Sequence, residues 1–295
     1  MKRKFHAPVA AAFLLLILTT STAHPVTTAK KVEAHYNAGD QWLKSGKYEE
    51  AATEFKEVVR LDPNHFEAHN NLGYVYSRLG RPWEALNEYR ESVRIHPDNA
   101  VAQNNLGFMH SRLSLYEDAI VNLKESIRLD PEYAVAHNNL GWTYNRLGRF
   151  EEGVRALEKA VRLDPDHSDA YNNLGWAKNS LKLYEEAVPL LKKSIQLNPN
   201  AAYAHNNLGW AYRGLNRIGE AIDEFKEAIR LDPESLHPYT NLANIHDELK
   251  DGKAAISYAE AWHALAIKKG DIVQAGEAAG LAHRLRGKYS DISAR

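Results

Sequence analysis

Along most of the chain, apolar residues recur at steps of three and four, as at Leu140, Tyr144 and Leu147, the stripe of a helix with one buried face. The stretches are short because proline interrupts them at Pro63, Pro97, Pro131, Pro165, Pro199 and Pro233, each 34 residues after the last. Each proline ends a charged, periodic stretch such as Glu151 to Arg162, in the setting Leu-Asp-Pro, Ile-His-Pro or Leu-Asn-Pro. Proline has no backbone N–H and its ring clashes with the preceding turn, so a helix stops there. Asn-Asn-Leu-Gly keeps the same period at Asn70–Gly73, Asn104–Gly107, Asn138–Gly141, Asn172–Gly175 and Asn206–Gly209, with weaker copies at Tyr36–Gly39 and Thr240–Ala243.

The pattern predicts two helices per period. Gly39, Gly73, Gly107, Gly141, Gly175, Gly209 and Ala243 let the first helix come close to the second. There Ala51, Ala85, Ala119, Gly153, Ala187, Ala221 and Ala255 are the matching small residues. A lone hairpin of this kind cannot bury its apolar face, so neighbours must stack into a continuous ribbon with a polar cap. Asp271 to Arg286 supplies the cap, with Ile272, Ala275, Ala279, Ala282 and Leu285 on its packed side.

These residues resemble the tetratricopeptide repeat (TPR) family, whose helix-turn-helix unit has this length and a Trp-x2-Leu-Gly-x2-Tyr, then Ala, Phe and Pro pattern. In the fourth repeat the matches are Leu140, Gly141, Tyr144 and Pro165. Two departures stand out: His35, His69, His137 and His205, or Gln103 and Tyr171, replace the family's Trp, and Ile267 replaces the last proline. The resemblance implies an all-α, right-handed superhelical solenoid. Seven repeats occupy residues 32–65, 66–99, 100–133, 134–167, 168–201, 202–235 and 236–269, followed by a capping helix at 270–286 and a loose tail at 287–295.

The start of the chain differs in kind. Lys2, Arg3 and Lys4 precede an apolar run from Val9 to Leu18, and Ser21, Thr22 and Ala23 are small. That order reads as a secretory signal peptide over 1–23, cut after Ala23, with 24–31 as linker. The run is shorter than the roughly 20 residues that span a bilayer, so cleavage leaves no stable membrane anchor. The chain has no cysteine, which rules out disulfides, thiolate metal sites and a cysteine lipid anchor. It also has no Asn-x-Ser/Thr acceptor. Export to a bacterial periplasm is the location these features favour.

A net charge of −1, with acids and bases interleaved, gives no field to attract nucleic acid. The sequence has no nucleophile elbow, phosphate-binding glycine loop, His-Glu-x-x-His or dinucleotide fingerprint. The chain therefore reads as a non-enzyme without cofactor. The histidines His35, His69, His137 and His205 recur in register, but with mostly one imidazole per repeat they suit packing better than the three or four converging ligands of a metal site.

In the family the first helices line a concave groove that takes peptides or partner helices. Taking Leu140 and Gly141 as buried places Val135, Asn138, Asn139, Trp142, Asn145 and Arg146 toward it. Three periodic rows follow as candidate partner-binding residues. One is Asn71, Asn105, Asn139, Asn173 and Asn207, continued at Asn37 and Asn241. An amide both donates and accepts, so it can pair with any peptide unit. The row is similar to the asparagine ladder in the repeat superhelix of O-linked N-acetylglucosamine transferase, which holds substrate backbone. It suits equally a role in tying one repeat to the next. The second row is Tyr74, Phe108, Trp142, Trp176 and Trp210, which offers either stiff anchor surfaces or inter-repeat packing. The third is Arg78, Arg112 and Arg146, a place for carboxylates or a solvated edge. The expected function is a scaffold for extended protein segments. A glycan-binding module of the envelope and an accessory subunit of an envelope enzyme remain as alternatives.

Overall fold

A computed structural model describes residues 25–290, which form fifteen helices and, among the described residues, no strand. The first helices of the repeats are α1 (Pro25–Lys44), α3 (Phe66–Arg78), α5 (Ala100–Arg112), α7 (Ala134–Arg146), α9 (Ser168–Ser180), α11 (Ala202–Gly214) and α13 (Leu236–Glu248). They alternate with second helices α2 (Tyr48–Leu61), α4 (Pro82–Ile95), α6 (Tyr116–Leu129), α8 (Phe150–Leu163), α10 (Tyr184–Leu197), α12 (Ile218–Leu231) and α14 (Gly252–Lys269). A final helix, α15 (Ile272–Ser290), packs on α14.

Two kinds of turn repeat with the helices. Each first helix closes on one residue with positive φ: Gly46, Gly80, Ser114, Gly148, Lys182, Asn216 and Lys250, between 58° and 75°. The next N–H then reaches back along the helix, Arg81 to Tyr76 O and Arg149 to Tyr144 O, both at 2.9 Å, which satisfies carbonyls left over at a helix end. The second helices stop at the residue before proline. Asp62, Asp130 and Asp164 are extended there, as a following proline demands. Their carboxylates accept the N–H two residues on, at 3.1, 3.0 and 3.1 Å, fixing the bend. Ile267 sets no such stop, so α14 runs 18 residues to Gly270.

Within a repeat the two helices meet at glycine. Gly73 lies under the Tyr89 ring and Gly141 under Leu157, each too close to admit a Cβ. Tyr89 and Leu157 are themselves buried. Each second helix packs on the next first helix, and α3, α5, α7, α9 and α11 also touch in succession. The first helices thus form the inner row of the solenoid and the second helices the outer one.

The ends differ from the sequence reading. Residues 25–31, expected as linker, begin α1, because Pro25 sits in the first turn where proline is tolerated. Gly287 to Ser290, assigned to the tail, continue α15. The buried face of α15 is Ala275, Ala278, Ala282 and Leu285, a three-four-three spacing that leaves Ala279 and Ile272 exposed instead of packed. The signal peptide lies outside the described residues. No helix among the described residues is long and apolar enough to cross a membrane.

Candidate partner-binding groove

The inner face is built from four positions of each first helix, spaced four, three and four residues apart so that they share one side. On α7 these are Val135, Asn139, Trp142 and Arg146. The aromatic row lies open on this face: Tyr74, Phe108 and Trp210 are 42%, 36% and 50% exposed, and Trp142 and Trp176 are half-buried. Val101 and Tyr203, about two helical turns away on the same face, are exposed as well. Phe108, Trp142, Trp176, Tyr203 and Asp169 surround a cavity of about 410 Å³, with Asn139 and Asn173 in its wall. The Tyr203 hydroxyl donates to the Asp169 carboxylate across two repeats, and Phe150 props Trp176 edge-on at 6.4 Å.

The asparagine row does structural work first. Asn105, Asn139, Asn173 and Asn207 each donate Nδ2–H to the first asparagine of the preceding repeat, Asn70, Asn104, Asn138 and Asn172, at 2.8–3.0 Å. Asn71 donates instead to the Tyr36 hydroxyl at 3.1 Å. Within a pair the link continues, Asn104 to Asn105 at 3.1 Å and, more loosely, Asn138 to Asn139 and Asn172 to Asn173. The result is a chain of side-chain amides running from Asn70 to Asn207, through the second to sixth repeats. Each second asparagine keeps one N–H and at least one carbonyl lone pair, since an amide group has two of each. Asn145, expected in the groove, is buried instead, and Asn138 is mostly buried but lines the same cavity. Asn138 is the acceptor for Asn173, and Asn145, one turn from Gly141 on the packed side, donates to the Asn173 backbone carbonyl at 2.9 Å.

The arginine row is exposed. Arg78 lies 5.2 Å from the Tyr48 ring, and Arg146 lies 5.8 Å from the Trp142 ring while donating to the Tyr116 hydroxyl. None of the three is paired with a carboxylate among the described residues, so the row presents uncompensated positive charge along one edge.

Models of the tetratricopeptide repeat match residues 39–80 and 115–148, 66–99, 139–202, and 202–235, together more than half of the chain. The chain belongs to the tetratricopeptide repeat family. Among solved structures this TPR protein is similar to MamA, at 28% identity over 59% of this chain and 95% of that one, with a TM-score of 0.51. PilF of Pseudomonas aeruginosa shares its fold at 22% identity, 74% and 99% coverage and a TM-score of 0.63. So does a tetratricopeptide repeat protein of Parabacteroides merdae at 15% identity, 87% and 99% coverage and 0.67. No curated protein matches the chain.

The histidine row of this TPR protein also joins elements. His69 Nδ1 donates to Glu88 at 2.7 Å and Nε2 to the Pro63 carbonyl at 3.2 Å; His35 pairs with Glu54 and His205 with Glu224 in the same way. Where the carboxylate position holds Asn122, the partner is Gln103. Where it is Ala156, His137 keeps only the Pro131 carbonyl, at 3.0 Å. No group of three or more His, Cys, Asp or Glu converges among the described residues. Burial alone lowers the His69 pKa, but the Glu88 hydrogen bond and charge outweigh it and the net shift is upward from 6.5. The Glu224 hydrogen bond is the largest influence on His205 and raises it, whereas burial lowers His137. The raised pair stabilises the fold fully below the unfolded histidine pKa, and that contribution fades as pH rises through the higher folded values. His137 acts in reverse: its neutral form is favoured, and stability is lost as pH falls through its folded value. An NMR titration of the imidazole signals is expected to place His69 and His205 above 6.5 and His137 below it. Ala156→Glu should carry His137 upward; an unmoved midpoint would refute the pairing.

Proposed function

We propose that the protein is a non-catalytic scaffold that takes an extended segment of a partner protein along its inner face. The observation that carries this reading is the row of exposed aromatic side chains on helices held rigid by packing. Aromatic rings fixed in place are the usual anchors of protein interfaces, and a contiguous exposed apolar strip marks an interaction surface. The unused N–H and lone pair of each second asparagine lie beside that strip and match the donor and acceptor of a peptide unit.

Selection of a displayed random-peptide library on the full chain tests the reading. Binding peptides are expected to emerge, and Trp142→Ala with Trp176→Ala should weaken them at least about 30-fold, the loss of about 2 kcal/mol typical of a hot spot. Absence of any enriched peptide, or full binding by the folded double variant, would count against the groove. We also infer export, from the basic start, apolar run and small residues over 1–23. A mature chain beginning at His24 by mass spectrometry supports it; recovery of an intact Met1 from exporting cells would not.

A further inference from the structure

We propose that the C-terminal end of the groove is a pocket for a basic side chain, lysine or arginine, carried by the bound segment. The proposal rests on the groove reading above, shares Trp176 and Trp210 with it, and adds Trp262, Gln274 and Glu277. A cavity of about 310 Å³ opens where the inner row meets the capping helix, walled by Trp176, Trp210 and Trp262 and by Gln274 and Glu277 of α15. Three indoles line one cavity, Trp210 half exposed and Trp262 almost wholly buried, and an indole ring is the side chain that best attracts an ammonium or guanidinium group.

Its polar groups favour the same ligand. Among the described residues Glu277 is the one carboxylate of the wall and His237 its one titratable base, and no lysine or arginine lines it. Two of the three indole N–H donors are engaged inside the wall, Trp262 with Gln274 Oε1 at 3.1 Å and Trp210 with Asn241 Oδ1 at 3.0 Å. One amide N–H of Asn207 and one of Asn241 are likewise given to the preceding repeat. Beside the remaining amide N–H groups the wall gives a ligand indole rings, amide oxygens and one carboxylate, and an acidic side chain with no lysine or arginine beside it favours a cationic group. The rest of the groove has the opposite bias. Arg78, Arg112 and Arg146 line its edge in the second, third and fourth repeats, and Ser180 and Gly214 hold that position in the fifth and sixth. A bound segment is thus oriented with its basic residue at the α15 end and any acidic residues at the other.

The test uses the full chain and the indole N–H signals of Trp142, Trp210 and Trp262 in NMR, assigned by single Trp→Phe variants. Blocked lysine (Nα-acetyl-lysine N-methylamide) is expected to shift Trp210 and Trp262 saturably, and its Nε-acetylated form to bind at least about 10-fold more weakly. Glu277→Gln, an exposed position, should weaken the charged probe about 5-fold and leave the neutral one unchanged. Equal binding of both probes, no saturable shift, or saturation by N-acetylglucosamine in place of lysine would each overturn the pocket. The peptide selection separates the two proposals. Groove-bound peptides that move Trp142 but carry no lysine or arginine defeat the pocket alone. A lysine probe that moves Trp262 when no peptide binds the groove defeats the scaffold reading alone.

Discussion

Gly141→Ala is expected to destabilise the protein by about 2 kcal/mol, within the range of an overpacked core. An added Cβ would lie 2.4 Å from Leu157 Cγ and 3.0 Å from the Gly153 carbonyl oxygen. Neither can move away cheaply, because Leu157 is fully buried and the carbonyl belongs to a helix backbone. The helical preference for alanine over glycine works the other way by about 0.5–1 kcal/mol and is too small to compensate. Gly276 of α15 isolates that preference, since nothing lies within 4 Å of its added Cβ. Gly276→Ala should therefore stabilise by about that amount. Urea unfolding of both variants checks the pair, and equal midpoints would show that the approach of α7 to α8 is not tight. Leu157→Ala alone should cost about 2–5 kcal/mol. Combined with Gly141→Ala it should cost less than the two added together, because the smaller side chain removes the collision.

That collision explains why so much of the fold was legible. Glycine or alanine recurs on both helices of every repeat because two helix backbones touch there, and the contact imposes the same residue size each time. The prolines recur because every second helix must stop to let the chain turn back. The positive-φ turns were not legible in this way. Gly46, Gly80 and Gly148 fit them, yet Ser114, Lys182, Asn216 and Lys250 adopt the same conformation, so closure of the helix end, and not residue type, sets the turn. The ends were legible least. The period says nothing about how far α1 or α15 extends beyond its neighbours, and a helix covered on one side only has a buried stripe too narrow to locate from the pattern.

The groove rows were visible because they share the period of the fold, and the C-terminal pocket was missed because it breaks that period. Trp262 occupies a position held by Val58, Ser92, Ser126, Ala160, Ser194 and Ala228 in the earlier repeats. There a small side chain lets the second helix sit against the start of its own repeat's first helix: Ser126 donates to the Ala100 carbonyl, and Ser168 to that of Ser194. Trp262 turns instead toward α15, where its indole N–H donates to Gln274 Oε1. A residue out of step with an otherwise regular array was the available signal. The double asparagine carried another, since two amides at every period can bond to each other and need no ligand to be satisfied.

The amide chain leads to the second large effect. Asn138→Ala is expected to cost about 1–3 kcal/mol, because Asn173 then holds a buried N–H without its acceptor. Asn173→Ala leaves the Asn138 oxygen unpaired and should cost a similar amount. The double variant should fall short of the sum by about 1 kcal/mol. Strict additivity in urea unfolding would mean that the bond between the fourth and fifth repeats contributes nothing. The outcome also governs how binding is read. Asn173 holds two repeats in register, and the register sets the spacing from Trp142 to Trp176, so its loss can weaken a peptide without any contact between amide and peptide. Trp142→Ala removes an anchor while leaving the amide chain intact. A peptide weakened equally by Trp142→Ala and Asn173→Ala, at matched stability of the two proteins, would assign the remaining amide capacity to the ligand. One weakened by Trp142→Ala alone would assign the ladder to the solenoid.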